Sequence, residues 1–367
     1  TKNIKRIGGN LEIGNNPSLN DISPFISLSF IQKALLIYKN NLDNYLQFPI
    51  LKNAGSTIFF SKNIGSAESL DLSRIKNDDP HLGLAGNYLY KIKADFIIEG
   101  NTNLKVLHAP DSLLEISQEL YIRNNLILTK LNGFRALKRV GYHLVITKSA
   151  IKTLTNFESL EMIGRSVSID ENLNIKKIDF SKVKGEIGII GNGSNGEGIF
   201  IQRNPMLTTL KLPDVDRING YLKITGNSSL NVIKGLNRAF VIEEWLVIES
   251  KDLIEDLSWL NNLQDIESDN LGIARNRSLS SCSIHEICSI LNNGLTTNSA
   301  RINNNNGCCN TEESVLEDCN YTCCTKSAPI YVQSCNNLVL QSKAGDCFRV
   351  AIDKNGNLKT IPISCPK

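Results

Sequence analysis

The chain has 367 residues, and its 40 Lys and Arg against 37 Asp and Glu give a net charge of +3. Charges of both signs are interspersed, so composition favours neither nucleic acid nor an anionic membrane as a partner. No stretch reaches the roughly 18 apolar residues that span a bilayer, and the chain begins at Thr1 without Met or a signal peptide, so we expect a processed or trimmed soluble chain.

A short pattern recurs along most of the chain: apolar, any, apolar, any, any, Asn. The stretch Leu120-Tyr121-Ile122-Arg123-Asn124-Asn125 is a representative copy. The commonest step between copies is about 23 to 24 residues, a period that indicates a solenoid in which each repeat buries its apolar side against its neighbours. The first apolar residues of the copies are Leu11, Leu35, Ile58, Leu82, Phe96, Leu120, Leu144, Val167, Ile187, Ile199, Leu222, Leu246, Leu271 and Ala300.

Each copy predicts one turn of a parallel coil, beginning with the strand at Leu11 and Ile13 and its corner at Asn16. The two apolar residues lie two positions apart and point inward, whereas the residue between them points outward. Successive strands then stack in parallel about 4.8 Å apart. Asn at the corner tolerates left-handed geometry, and its amide can bond the backbone of the next turn.

Two intervals exceed one turn. Ile58 and Phe96 are 38 residues apart, with 82–84 as either an extra strand or a chance match, and Val167 and Ile199 are 32 apart. We interpret both surpluses as loops extruded from single turns. The second contains Gly191, Gly193 and Gly196 in a GxGxxG spacing, but a nucleotide site needs a helix after the last Gly, and a strand at 199–201 is predicted instead.

The spacing in 127–146 resembles the receptor L-domain type of leucine-rich solenoid, whose repeat reads LtxLxGFxxLxxVGgxLxI. The matching residues are Leu128, Leu131, Gly133, Phe134, Leu137, Val140, Gly141, Leu144 and Ile146, with a second copy at Leu222, Ile224, Asn231, Ile233, Gly235 and Leu236. The resemblance covers about residues 1–320 and implies a right-handed parallel β-solenoid, which we place at 1–281. It implies partner binding or surface building, without catalytic residues or a cofactor.

A cap is expected at 282–324. Ser283 and Glu286 form a capping box for a helix at 283–293, a last repeat strand follows at 300–302, and Thr311 caps a second helix that ends at Cys319. This order resembles the terminal cap of secreted bacterial L-domain-like proteins. The resemblance implies that Cys282 and Cys288 pair with Cys308 or Cys309 and with Cys319.

All ten cysteines lie in the last part of the chain, which indicates about five disulfides in an oxidising compartment and favours a secreted or cell-surface protein. They are Cys282, Cys288, Cys308, Cys309, Cys319, Cys323, Cys324, Cys335, Cys347 and Cys365. Zinc is the disfavoured alternative, because there is no CxxC motif and only His285 lies nearby. The sequons at Asn192, Asn227, Asn276 and Asn320 would accept glycans in a eukaryotic host.

Residues 325–367 change to simple alternation, which predicts a small antiparallel β-meander with strands at 331–334, 338–342, 347–353 and 358–364. Asn355-Gly356 is a strong two-residue hairpin signal. That turn would place residue 347 opposite 364, so that Cys347 and Cys365 could bond, while Cys335 would pair with Cys323 or Cys324.

Catalytic groups do not stack at the two outward positions of the repeat that follow the first and second apolar residues. Carboxylates occur there singly, never as a neighbouring pair, and His81, His108, His143 and His285 fall at unrelated repeat positions. This pattern argues against a triad, a metal site or a polysaccharide lyase. We therefore expect a protein that is not an enzyme and needs no cofactor.

Apolar and aromatic residues do collect at the outward positions of the N-terminal turns. We call the following set the apolar stripe: Leu36, Tyr38, Phe59, Ile97, Tyr121 and Val145. Monomers rarely expose such continuous patches, so either a partner covers the stripe or a loop at 64–90 folds over it.

The leading hypothesis is an extracellular recognition or adhesion protein whose sheet face meets a protein or glycan. The first alternative is a structural subunit of an extracellular fibre that self-assembles through the C-terminal module. A polysaccharide-acting enzyme is the third.

Overall fold

The computed structural model describes residues 4–43, 46–75, 91–183, 197–249, 253–268, 270–292, 300–322, 330–333, 337–341, 347–352 and 358–363. The chain is a parallel β-solenoid with few helices, as the repeat predicted. Its main sheet has 12 parallel strands. These are Leu11–Gly14, Leu35–Tyr38, Ile58–Ser61, Phe96–Glu99, Leu120–Arg123, Leu144–Thr147, Ser166–Asp170, Gly198–Gln202, Tyr221–Thr225, Trp245–Glu249, Asn270–Ala274 and Ala300–Asn303.

Equivalent repeat positions pair directly across the main sheet. Leu120 pairs with Phe96 on one side and with Leu144 on the other, so the strands are in register. Leu120 and Ile122 are 0% exposed, whereas Tyr121 between them is partly exposed. The predicted division into inward and outward residues is therefore confirmed.

Both long intervals leave the main sheet without an added strand. Ile58 pairs with Phe96, and Val167 pairs with Ile199, each across one strand spacing. The predicted copies at Leu82 and Ile187 lie outside the described residues, and the main sheet continues without them. The strand Gly198–Gln202 follows the glycine-rich segment, as expected.

Short parallel strands form two further walls of the coil. The wall before the main sheet in each turn contains Arg6–Ile7, Phe30–Ile31, Asn53–Ala54, Lys91–Ile92, Glu115–Ile116, Arg139–Val140, Met162–Ile163, Arg217–Ile218, Phe240–Ile242 and Leu263–Ile266. The wall after it contains Leu46–Gln47, Ser69–Asp71, Val106–His108, Lys130–Asn132, Thr153–Leu154, Lys177–Asp179, Thr209–Lys211 and Val232–Lys234. Short 3-10 turns occur at Ser23–Phe25 and Ser258–Leu260.

Inside the coil, aromatic rings stack along the axis. Phe134 lies 5.7 Å from Phe157 and Phe157 lies 6.4 Å from Phe180, measured between ring centroids. Phe96 and Phe134 pack edge to face, with their ring centroids 5.2 Å apart. All four side chains are buried, so each turn buries apolar area against the next one.

The corner asparagines form a ladder through the molecule. The Asn101 side chain accepts from Asn63 N–H at 3.2 Å, and Asn101 donates from Nδ2 to the Phe60 carbonyl at 3.1 Å. The next rung repeats this arrangement with Asn125 and Ile98. Each Asn thus pairs backbone groups that the strands leave free, as predicted. The rungs are Asn16, Asn40, Asn63, Asn101, Asn125, Ser149, Asn172, Asn204, Asn227, Asn276 and Asn305.

The left-handed residue of the corner is not the ladder Asn but the residue before it, so that part of the expectation is wrong. Asn124 has φ 57°, Lys148 has φ 51° and Arg203 has φ 47°. The ladder residue must keep its side chain inside the coil, so the preceding, solvent-facing residue makes the turn. Two of the sequons lie in the ladder and are too buried to accept a glycan. Asn227 and Asn276 are 0% exposed and donate to the Ile201 and Ile248 carbonyls.

The cap has the predicted elements. Helix α1 spans His285–Asn292, and helix α2 spans Glu312–Asn320, with the 3-10 turn Gly307–Cys309 before it. Thr311 Oγ1 accepts from Ser314 N–H at 3.2 Å and so caps α2, and the Ser283 hydroxyl donates to Asp318 at 2.6 Å.

Disulfides join Cys282 to Cys309 and Cys288 to Cys319. These pairs are among those that the resemblance implied. Cys308 is also disulfide-bonded, and the other five cysteine side chains lie outside the described ones. The bonds indicate an oxidising environment. No helix in the described part of the chain is long and apolar enough to cross a membrane.

The C-terminal strands form an antiparallel sheet of Tyr321–Thr322, Ile330–Gln333, Asn337–Gln341, Cys347–Ile352 and Leu358–Ile363. The predicted register of its last hairpin is wrong by one residue, because Cys347 pairs with Ile363 rather than with residue 364. Ile352 pairs with Leu358 and leaves five residues, 353–357, between them. The predicted turn at Asn355-Gly356 lies outside the described residues. The expected bonds of Cys347 with Cys365 and of Cys335 lie outside the described side chains.

Candidate functional site

The apolar stripe lies on the outward face of the main sheet. Register places Leu36 beside Phe59, Phe59 beside Ile97, Ile97 beside Tyr121 and Tyr121 beside Val145. Each of these side chains is partly exposed. At about 4.8 Å per strand, the five residues form one straight row of roughly 19 Å. We call this row, which continues with Glu12 at one end and Ser168 at the other, the central row.

Tyr38, the sixth residue of the stripe, stands in the neighbouring row. Its ring packs edge-on against Phe59, with centroids 6.0 Å apart, and its hydroxyl donates to Glu12 Oε1 at 2.6 Å. This hydrogen bond raises the pKa of Tyr38. The ring lies directly over Gly14, where a Cβ atom would overlap it. Tyr38 therefore needs a glycine in the preceding turn, and it widens the stripe toward the first strand.

Tyr121 is held in place by charged neighbours. Burial raises its pKa to about 12, with further contributions from the negative charge of Glu119 and a hydrogen bond to it. The Arg123 guanidinium lies 4.8 Å from the Tyr121 ring centroid and 3.2 Å from Glu99 Oε2. The ion pair and the cation–ring contact together hold the phenol in place within the stripe. A rigid aromatic residue of this kind loses little entropy on binding a partner.

A stacked pair of carboxylates borders the stripe at a position that the sequence expectation did not cover. Asp95 and Glu119 immediately precede two adjacent strands. Asp95 Oδ1 accepts from Glu119 N–H at 3.2 Å, and Glu119 Oε2 accepts from His143 N–H at 3.1 Å. The repeat has a third outward position, one residue before the first apolar residue, and inspecting that position would have found the pair. Because each carboxylate accepts a hydrogen bond from the backbone of the following turn, the two side chains hold successive turns together.

In the turns that follow the stripe, charged residues pair between turns. Arg203 contacts Asp170 and also Glu171, the latter at 3.1 Å, and Arg275 lies 3.3 Å from Glu249. Burial raises the pKa of Asp170 even though Arg203 acts in the opposite direction. Beside the stripe itself, the ion pair of Arg123 with Glu99 on one side and the backbone bonds of Asp95 and Glu119 on the other form a polar rim.

A second aromatic cluster occupies the later turns of the same face. The Phe200 and Tyr221 centroids are 5.9 Å apart, and Trp245 follows on the next strand. Phe200 belongs to the central row, whereas Tyr221 and Trp245 occupy the third outward position that the sequence reasoning did not inspect. Ser168 separates this cluster from the apolar stripe.

The described part of the expected covering loop does not lie on the stripe. Its strand Ser69–Asp71 pairs with Val106–His108 in the wall after the main sheet. The remainder, 76–90, lies outside the described residues.

Histidines and acids do not gather into a metal site within the described ranges. His108 contacts Asn132 at 3.3 Å in the wall after the main sheet, His143 precedes a main-sheet strand, and His285 lies in α1. Among the residues that the structure describes, no three His, Cys, Asp or Glu side chains are grouped for metal binding. His81 is outside them.

Comparisons with protein-family models, with curated proteins and with solved structures found no match.

Proposed function

We propose that this chain is a secreted, non-catalytic recognition or adhesion protein of the receptor L-domain-like type. It presents the outward face of its main sheet to a protein or glycan at a cell surface. The observation that carries the proposal is the straight row of five partly exposed apolar side chains from Leu36 to Val145. Interface centres are enriched in Tyr and Phe and depleted in charge, as this row is.

The backbone beneath the stripe supports this proposal. In-register strands, the asparagine ladder and the Arg123 contacts hold the outward side chains in place before any partner arrives. Preorganisation of this kind reduces the entropy lost on association. Rigid parallel strands suit recognition of a surface rather than enclosure of a small molecule.

The test is the double substitution Phe59→Ser and Tyr121→Ser, compared with Leu173→Ser. Leu173 is 62% exposed and lies off the main sheet, so it controls for the loss of an exposed apolar side chain. The immobilised proteins are incubated with a panel of glycans and with proteins of the cell surface. We expect a ligand of the wild type and of the control to bind the double variant at least about tenfold more weakly.

The melting temperature decides whether this result reflects contact or folding. A melting temperature close to that of the wild type supports a contact surface. A large drop would show that Phe59 and Tyr121 act in packing, and the proposal would then be wrong.

The alternative function is a structural subunit of an extracellular fibre. It is favoured by the antiparallel C-terminal sheet, whose outer strand Leu358–Ile363 has one edge without a partner strand among the described residues. Sheet edges of this kind pair with other chains. Removal of the residues after Cys324 should then abolish assembly, and intact assembly would argue against this function. Cleavage in the glycan panel would instead support a polysaccharide-acting enzyme.

A further inference from the structure

One wall of the solenoid is interrupted before the coil ends. In the wall after the main sheet, Thr153–Leu154, Lys177–Asp179, Thr209–Lys211 and Val232–Lys234 form one parallel sheet. In the next turn, Asp256 occupies the place of Val232. It forms an isolated parallel bridge with Ser281 of the following turn but does not pair with this sheet. The strand Val232–Lys234 is therefore an open edge on the side of the coil, away from the main sheet.

This edge offers backbone hydrogen-bonding groups. Val232 N–H donates to the Thr208 carbonyl at 3.1 Å, and the Lys234 carbonyl accepts from Leu212 N–H at 2.7 Å. Successive residues of a strand direct their N–H and C=O groups to opposite sides, so those of Ile233 point away from its sheet. Within the described part of the chain, neither group of Ile233 has a partner. An unpaired strand edge is a template for another strand.

A cleft of about 430 Å³ opens beside the edge. Its apolar lining includes Ile233, Leu253 and Trp259, and its acidic lining is Glu255 and Asp256. Ile233 is only partly buried, whereas the residues at its position in the three preceding turns are 0% exposed. Those residues are Leu154, Ile178 and Leu210. The cleft thus exposes part of the Ile233 side chain, whereas the equivalent side chains are enclosed in the regular turns.

Charge narrows the choice of occupant. Glu255 and Asp256 are exposed, and neither has an ion-pair partner among the described residues. Asp256 accepts a hydrogen bond from Ser258 N–H at 2.8 Å, but this neutral donor does not compensate the negative charge of the carboxylate. Two acidic groups beside apolar walls favour a ligand with a cationic and an apolar side chain close together.

We propose that this cleft binds an extended peptide, which adds a strand to the edge at Val232–Lys234. An apolar side chain of the peptide packs against Ile233 and Trp259, and a Lys or Arg side chain lies beside Glu255 and Asp256. Backbone bonds to Ile233 supply affinity, and the alternating side chains supply specificity. This site is independent of the function proposed for the apolar stripe.

The test begins with a displayed library of random heptapeptides, selected on the full-length wild type and counter-selected on Leu253→Ala. We expect enriched sequences that alternate apolar residues with Lys or Arg. The best peptide, labelled with fluorescein, is titrated by fluorescence anisotropy. Leu253→Ala should weaken its binding at least about fivefold, whereas Leu173→Ala should not, because both residues are exposed but only Leu253 lines the cleft. The pair Glu255→Gln and Asp256→Asn should weaken binding and reduce its salt dependence.

Amide hydrogen exchange identifies the mode of binding. We expect the Ile233 amide to exchange faster than the Leu210 amide in the free protein and to slow on saturation with the peptide. Unchanged exchange of Ile233 in the complex would overturn strand addition. Three other results would overturn the proposal: no enriched peptide, a glycan bound in place of a peptide, or a dimer of the chain that Leu253→Ala dissociates. Phe59→Ser with Tyr121→Ser should leave peptide binding unchanged, so failure of one function does not imply failure of the other.

Discussion

The turns of the solenoid and the cap that follows them are stabilised by different interactions. In the coil, residues about one turn apart meet at equivalent positions, so buried side chains, strand pairs and the asparagine ladder repeat along the axis. The cap has two short helices around the last repeat strand, and two disulfides connect residues within the cap. Repetition lets many weak bonds act together, whereas an irregular end depends on a few strong ones.

This comparison also explains where the candidate sites lie. The stripe lies where the main sheet keeps strict register, even across the long interval between Ile58 and Phe96, and this register aligns five side chains in one row. The peptide cleft stands where the coil loses one strand of one wall. Regularity produces a flat surface, and its interruption produces a concave one.

The largest expected effect comes from removing a cap disulfide. Replacing both Cys288 and Cys319 with Ala opens a link between residues 31 apart in sequence. We expect the cap to lose about 3 to 4 kcal/mol of stability. This loss is measured by urea unfolding followed by limited proteolysis. We expect cleavage within 283–320 at urea concentrations that leave the coil intact. Loss of the main sheet in the same transition would show that the cap and the coil are one cooperative unit.

Breaking the ladder should have the next largest effect. Asn125→Ala removes the donor to the Ile98 carbonyl and the acceptor of Asn101 N–H, all of them buried. Leaving such groups unpaired should lower the free energy of unfolding by about 2 to 3 kcal/mol, measured by urea denaturation. Leu126→Ala, at a 68% exposed neighbour, is the matched control and should change little. Equal effects of the two substitutions would contradict the role of the ladder.

Repairing the ladder should have a smaller and opposite effect. Ser149 stands at a ladder position and donates from its hydroxyl to Asn172 at 2.7 Å, but it is too short to reach the preceding turn as an Asn does. Ser149→Asn should add about 1 kcal/mol to the free energy of unfolding. A loss of stability would show that the coil has closed around the smaller side chain.

The smallest effect concerns pH and the stripe. The pKa of Tyr121 is raised from 10.0 to about 12. Because the folded state holds this proton more tightly, the stabilisation is fully present below pH 10 and is lost as the pH rises from 10 toward 12.

Glu119→Gln keeps an oxygen for His143 N–H but removes the charge, so the pKa of Tyr121 should fall toward its ordinary value. The absorbance of tyrosinate, with Tyr121→Phe subtracted as the reference, measures this shift. An unchanged titration in Glu119→Gln would show that Glu119 does not contribute to the shift.

Much of the coil was predictable because its rules are local. Alternation at Leu120, Tyr121 and Ile122 decides which side chains face inward, and the period decides which turns stack. The same reasoning missed Asp95 and Glu119, because the strand was taken to begin at its first apolar residue. It also misplaced the left-handed residue by one, since the ladder Asn has to keep its amide inside.

The errors in the remaining regions have a common physical cause. Sequence signals for a hairpin turn specify loop length only weakly, and a change of one residue at 353–357 shifts the whole register. The open edge at Val232–Lys234 has no local sequence signature either, because it depends on whether the next turn supplies a strand that pairs with it.

The sequence by itself determined the parallel coil, the inward and outward sides of its strands, the capped end and the composition of the apolar stripe. Short-range periodicity determines these features, since burying the apolar residues of one repeat requires a neighbour with the same pattern. Only the tertiary structure decided that both long intervals leave the main sheet continuous, that Asp95 stacks with Glu119, and that the edge at Ile233 opens into a cleft. Each of these depends on contacts between residues more than 20 positions apart, whose geometry no local pattern specifies.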